Sequence, residues 1–208
     1  TDFQNQLAAL STLKTKRLAL QEAAANLDTP GEFKALRAVS SQESILTAAA
    51  GIFAAPGKYD ISVEALATAR KDISQGYASV DEVVGAGTVW FTVGSTTTPL
   101  NVPDGTTLAG FRDLINDGID GVSASLINDG SGGNSHYLVL RSDTEGLDGD
   151  FAVHTTGLAG GTRPVMTNIQ AASDAQLIVD GIAVTAGSNH PADVISGLTL
   201  NLHQAEPG

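Results

Sequence analysis

The chain has 208 residues, of which 42% are hydrophobic but only 5% aromatic, and it carries a formal charge of −12 from 23 acidic and 11 basic side chains. That balance excludes nucleic acid and anionic lipid as partners, because each phosphate contact needs cations the chain does not have to spare. The absence of cysteine removes disulfides, thiolate metal sites and cysteine nucleophiles together. No apolar run approaches the ~18 residues of a membrane span, and no basic start leads into an apolar stretch of signal-peptide type.

The first 28 residues contain no Gly or Pro and are rich in Leu, Ala, Gln and Lys. Phe3, Leu10, Arg17 and Ala24 recur at heptad spacing, and Gln6, Leu13, Leu20 and Leu27 interleave with them. This predicts a helix with a packing seam formed by Phe3, Leu10, Leu13, Leu20 and Leu27. Gln6, Arg17 and Ala24 weaken the seam, so it is expected to need other helices beside it. An ordinary surface helix remains the alternative. Thr29-Pro30-Gly31 should stop the helix, and Glu32 to Val39 is expected to add one or two further turns.

From residue 44 the periodicity becomes alternating. "SILTAAAG" and "KYDISVEAL" read as an antiparallel pair closed around Pro56 and Gly57, with Tyr59, Ile61, Val63 and Ala65 on one face. "GTVWFTVG" and "TTPLNVP" read as a hairpin across Gly94 and Ser95, with Val89, Phe91 and Val93 on one side. Thr106 or Thr107 can then cap a helix whose apolar stripe is Leu108, Phe111, Leu114 and Ile115, while Asp113, Asn116 and Asp117 face water. "GVSASLIND" and "HYLVLRS" follow as strands. Residues 87–142 therefore predict strand, strand, helix, strand, strand in one small sheet, with an edge strand at 150–156.

Asp180-Gly181 between "QLIV" and "IAVT" is a strong hairpin signal. "ISGLTLNLHQA" supplies a last strand with Leu198, Leu200 and Leu202 on one face. The ending "EPG" looks cut from a longer chain.

The glycines of "NDGSGGNS" invite comparison with a phosphate-cradling loop. Such a loop needs a following helix whose amide groups converge on the anion, and here the next element is a strand with no Lys after the glycines. A tight turn explains the same residues, since Asp129 and Gly130 favour positive φ. Asp143, Glu145, Asp148 and Asp150 lie close in sequence, but the calcium loop spacing and its closing Glu are missing, which favours a solvated acidic loop. No G-x-S-x-G elbow occurs, and His136, His154, His190 and His203 have no local partners. No catalytic, cofactor-binding or metal-ligating residue is expected, and no enzyme.

"TTLAGFRDLINDGIDGVSASLINDGSGGNSHYLVLRSDTEG" resembles the repeated motif of flagellar axial proteins, with Leu108, Arg112, Ile115, Asn116, Gly121, Val122, Asn128, Asp129, Gly130, Leu138 and Leu140 in order. With "AAAGIFAAPGKYDISVEALATARKDISQGYAS" and "DAQLIVDGIAVTAGSNHPADVISGLTLNLHQAEPG", the chain is similar to the flagellar filament-cap (hook-associated protein 2) family across nearly its whole length. "RPVMTNIQAASDAQ" is family-like only in its last half.

The resemblance implies an α+β protein. Residues 1–43 would be part of a coiled-coil-like helical leg. Two β-rich head domains would follow, one formed by 44–85 with 173–208 and the other, 86–172, inserted into it. It further implies an extracellular protein at the bacterial flagellum tip, exported through the flagellar channel without a cleaved signal peptide. There a closed ring of about five or six copies would promote flagellin assembly without catalysis. Flagellin and other copies of itself are the implied partners, with an export chaperone and host mucin as further ones. The alternatives are a hook–filament junction or flagellin-type protein, or an adhesion module binding mucin. The order from "VDGIAVTAGSN" to "LTLNL" separates the first two from the cap family.

Overall fold

The computed structural model describes residues 2–25 and 36–206. In chain order it contains helix α1 (Asp2–Ala25), strands β1 (Leu46–Ala50), β2 (Ile61–Ala65), β3 (Lys71–Ile73), β4 (Ala86–Val93) and β5 (Thr96–Val102), and helix α2 (Leu108–Gly118). Strands β6 (Val122–Asn128), β7 (His136–Ser142), β8 (Phe151–His154), β9 (Leu158–Ala159), β10 (Thr167–Gln170), β11 (Ala175–Val179), β12 (Ile182–Ala186) and β13 (Leu198–Leu202) follow. The fold is α+β, with many strands and few helices.

Turn chemistry fixes the local hairpins. β4 and β5 pair from Gly87 with Val102 to Val93 with Thr96, leaving Gly94 and Ser95 as a two-residue turn. Pleat alternation then sends Val89 and Phe91 inward and leaves Trp90 exposed. β11 and β12 close across Asp180 and Gly181, whose φ values of 49° and 81° are those of a primed hairpin turn. Thr107 is the helix cap: its side chain accepts from the Gly110 amide at 3.1 Å.

Three expectations change in three dimensions. Leu36–Val39 is not helical, and the remainder of the expected 32–39 turns lies outside the described residues, as do Thr29–Gly31. Strands β1 and β2 do not pair with each other. β1 pairs antiparallel with β13, Leu46 opposite Leu202, and β2 pairs with β11 in a three-stranded sheet ordered β12-β11-β2. The two hairpins flanking α2 lie in separate sheets, one ordered β5-β4-β8 with β9 beside β4, the other β10-β3-β7-β6. Asn116 faces solvent as expected and also bonds to the sheet: its Oδ1 accepts from the Ala124 amide at 2.7 Å and its Nδ2 donates to the Ala124 carbonyl at 3.0 Å, tying α2 to β6.

Two hydrophobic clusters organise these sheets. The larger gathers Leu108, Phe111 and Ile115 from α2, Val89, Phe91, Leu100 and Phe151 from one sheet, and Val122, Leu138 and Leu140 from the other. α2 therefore sits where the two sheets converge, which is why Leu108, Phe111 and Ile115 of its stripe are fully buried and Leu114 partly so. Tyr77 and Val84, expected with the flanking unit, pack in this cluster. The smaller cluster joins Leu46, Val63, Ala67, Ala175, Leu177, Leu200 and Leu202 from both ends of the strand-rich region.

Candidate assembly surface

Helix α1 is built from strong helix formers, with Ala and Leu spread along its 24 residues and no Gly or Pro. Phe3, Leu10, Leu13 and Leu20 are all exposed, Phe3 by 74% and Leu20 by 71%. Leu27 lies outside the described residues. Strict heptad counting missed Leu7 and Leu18, which are also exposed. At 100° per residue the six apolar side chains spread over roughly 160° of the circumference. A helical-wheel projection of the sequence would have found both leucines. Asp2, Gln6, Lys14, Arg17 and Gln21 fall within the same sector, so the large apolar side chains are interspersed with polar ones and form no narrow seam.

The glycine-rich loop is a hairpin connection. β6 and β7 pair continuously from Val122 with Ser142 to Asn128 with His136. Gly130, Gly132 and Gly133 take φ of 72–75°, and space around all three is open, so backbone conformation rather than a close neighbour calls for glycine there. Asn128 Oδ1 accepts from Gly130 N at 2.8 Å and Asp129 Oδ1 from Ser131 N at 2.9 Å. The hydrogen bonds from Ser131 hold the Asp129 carboxyl below its ordinary pKa.

The carboxylates of the acidic loop are turned toward different partners. Asp143 accepts from Ser123 Oγ, Glu145 from Asn189, and Asp150 from Arg70 Nη1 at 3.1 Å. Arg70 also makes a bidentate contact with buried Asp72, Nε to Oδ1 at 2.9 Å and Nη2 to Oδ2 at 3.1 Å, and lies 5.2 Å from the centre of the Phe151 ring. These carboxylates, Asp72 first, raise the Arg70 pKa against the opposing effect of burial. Tyr77 is buried, and desolvation, with the Glu82 charge second, pushes its phenol well above its ordinary value; its hydroxyl donates to the Thr162 carbonyl at 2.9 Å.

The histidines are dispersed, with one exception. His190 Nδ1 meets Asn201 Oδ1 at 2.9 Å and His203 Nε2 meets Thr47 Oγ1 at 3.2 Å, on the adjoining residues Thr47 and Asn201 of the β1/β13 pair. A cleft of about 600 Å³ lies against the same pair and is lined by Leu46, Ala48, Ile61, Ile195, Leu198 and Leu200. The charged residues of its lining, Arg37, Lys58 and Asp60, are exposed. Among the described residues no three His, Asp or Glu side chains gather as a metal-holding group, and no helix is long and apolar enough to cross a membrane.

An exposed helix carrying large apolar side chains, followed by sheet modules whose loop carboxylates Asp143, Glu145 and Asp150 bond internally, has the surface of an assembly subunit. Residues 88–144, which contain all but the first two residues of the β4–β5 hairpin, α2 and the β6–β7 hairpin, match the flagellin hook IN motif, and this places the chain among flagellar proteins. Residues 1–70 match the model of the flagellar hook-associated protein 2 N-terminus.

The B-type flagellar hook-associated protein 2 of Pseudomonas aeruginosa PAO1 is 31% identical over 95% of this chain and 46% of its own length. The flagellar hook-associated protein 2 of Escherichia coli K12 is 30% identical over 93% and 44%. The crystal structure of the flagellar cap protein FliD D1-D2-D3 domains from Escherichia coli superposes with a TM-score of 0.85 at 28% identity, covering 97% of this chain and 60% of that one. The chain belongs to the flagellar hook-associated protein 2 family. It spans just under half the length of the two relatives.

Proposed function

We propose that these residues work as part of a structural filament cap at the flagellum tip, where copies assemble into a closed ring of about five or six and promote the addition of flagellin. The observation that carries this reading is the 0.85 TM-score to a flagellar cap protein over 97% of the chain, helix and sheets together. The matches to hook-associated protein 2 relatives cover 93–95% of this chain and so include the Asp180-Gly181 hairpin, which favours the cap over a junction protein or flagellin. The members compared are flagellar cap proteins, and the internal commitments of the polar groups support a role in geometry rather than catalysis.

In this reading α1 is a leg, and Phe3, Leu10, Leu13, Leu20 and Leu27, joined by Leu7 and Leu18, pack against other helices. The head divides into the nested units of 44–85 with 173–208 around 86–172. The packing of Tyr77 and Val84 in the larger cluster supports a first boundary nearer residue 70. Export proceeds through the flagellar channel without a cleaved signal peptide.

The test is a chimera in which this chain replaces the matching residues of the Escherichia coli relative, expressed in cells lacking their own cap gene. Filaments should form and flagellin should stay cell-bound. Efficient export of the chimera with flagellin still lost to the medium would sink the reading.

A further inference from the structure

The acidic loop 143–150 contributes no side chain to either hydrophobic cluster, yet it is tied to the strands of the smaller one. Glu145 Oε2 accepts from the Asn189 backbone amide at 3.1 Å and from its Nδ2 at 2.8 Å. Asn189 grips the backbone of Ala67 in both directions, Oδ1 accepting from Ala67 N at 2.8 Å and Nδ2 donating to Ala67 O at 2.9 Å. Its own carbonyl accepts from Leu202 N of β13 at 2.8 Å. A residue beyond Glu145, Gly146 N donates to Thr68 O at 3.2 Å, and Leu147 N donates to Asp174 Oδ1 at 2.7 Å. Gly146 has φ of 80°, and a Cβ there would lie 2.1 Å from the Gly187 carbonyl oxygen, so the loop seats this closely only with glycine.

The chain passes between the two clusters near Thr68 and again near Ser173, and these crossings are themselves paired. Thr68 N donates to Ser173 O at 2.8 Å and Ser173 N to Thr68 O at 3.1 Å. Opening a strand in either core exposes apolar surface, whereas releasing Glu145 and Asn189 exposes polar groups that water can satisfy. Opening the junction therefore exposes less apolar surface than opening either core.

We propose that loop 143–150 is a polar clasp that fixes the angle between the two β units, and that releasing it lets them turn about the paired crossings at Thr68 and Ser173. The inference rests on the two clusters and their connections, not on filament assembly. It gives the loop a conformational role that neither core nor the helical face supplies.

The absence of native cysteine allows spin labels at S125C and T185C, exposed positions on β6 and β12. The parent should give one narrow distance distribution, and adding E145A and N189A should broaden it by about two-fold or more. An unchanged distribution in a folded variant overturns the proposal. A second measurement needs no clasp variant. In the unaltered protein, the amides of Ala67, Gly146, Leu147 and Asn189 should exchange hydrogen through one shared opening, about tenfold or more faster than those of Leu140 and Leu177. Exchange of the four at unrelated rates, or only together with the cores, overturns it equally.

Discussion

Helix α2 hides Leu108, Phe111 and Ile115 completely, whereas α1, with 24 residues to its 11, exposes Phe3, Leu7, Leu10, Leu13 and Leu20. The difference is one of neighbours rather than of helical character. An isolated helix as short as α2 is marginal in water, below the ~12–15 residues where even good formers begin to hold, so its order comes from the two sheets around it. α1 is long enough, and rich enough in Ala and Leu, to carry more of its own stability. Apolar periodicity thus marks a face that wants covering, but not whether the cover is supplied by the same fold.

Truncation at the covered helix gives the largest expected contrast. Phe111→Ala removes a side chain with no solvent exposure and should cost about 3–5 kcal/mol in chemical denaturation, through lost burial and the cavity left behind. A cost near zero would mean α2 is as loosely held as α1, and the comparison would fail.

Alkaline titration sharpens the contrast next, because Tyr77 belongs to the larger cluster and α1 contains no tyrosine. The phenol is a weaker acid in the folded than in the unfolded chain, whose ordinary value is 10.0. Above that pH the unfolded chain releases this proton first, so the contribution of Tyr77 is full below it and is lost as pH rises. Thermal melts followed from about pH 9 to 11 should show stability falling, and Tyr77→Phe should flatten that fall. An identical slope in the variant would remove Tyr77 as the cause.

Thr107→Ala should cost about 1 kcal/mol, since the Gly110 amide loses its acceptor at the start of α2. The smallest effect is expected at the exposed helix: Leu10→Ala should change the stability of the isolated chain by less than about 0.5 kcal/mol. A loss comparable to that of Phe111→Ala would show that α1 is packed in solution. Under the proposed function the same substitution weakens association with other helices, which sedimentation of the chimera would read.

Much of the local architecture was legible. The Asp180-Gly181 turn, the Gly94-Ser95 turn, the Thr107 cap and the inward stripe of α2 each follow from residues within a few positions of one another, and the glycines near 131 serve a turn. The candidate seam was legible in part: Leu7 and Leu18 were lost because a strict seven-residue count overlooks side chains that a 3.6-residue helix brings to the same side. The clasp was not legible, because Glu145, Asn189 and Ala67 are far apart in sequence and no short motif joins them.

The sequence alone determined the β4–β5, β6–β7 and β11–β12 hairpins and the helices α1 and α2, because pleat alternation, helical periodicity and turn geometry act over a few residues. Tertiary structure alone decided that β1 lies beside β13 rather than β2, and that the hairpins flanking α2 go to different sheets. An alternating apolar strand fits many edges equally well. The choice among them is made by distant contacts such as Leu46 with Leu202, once the intervening chain has closed around its own core.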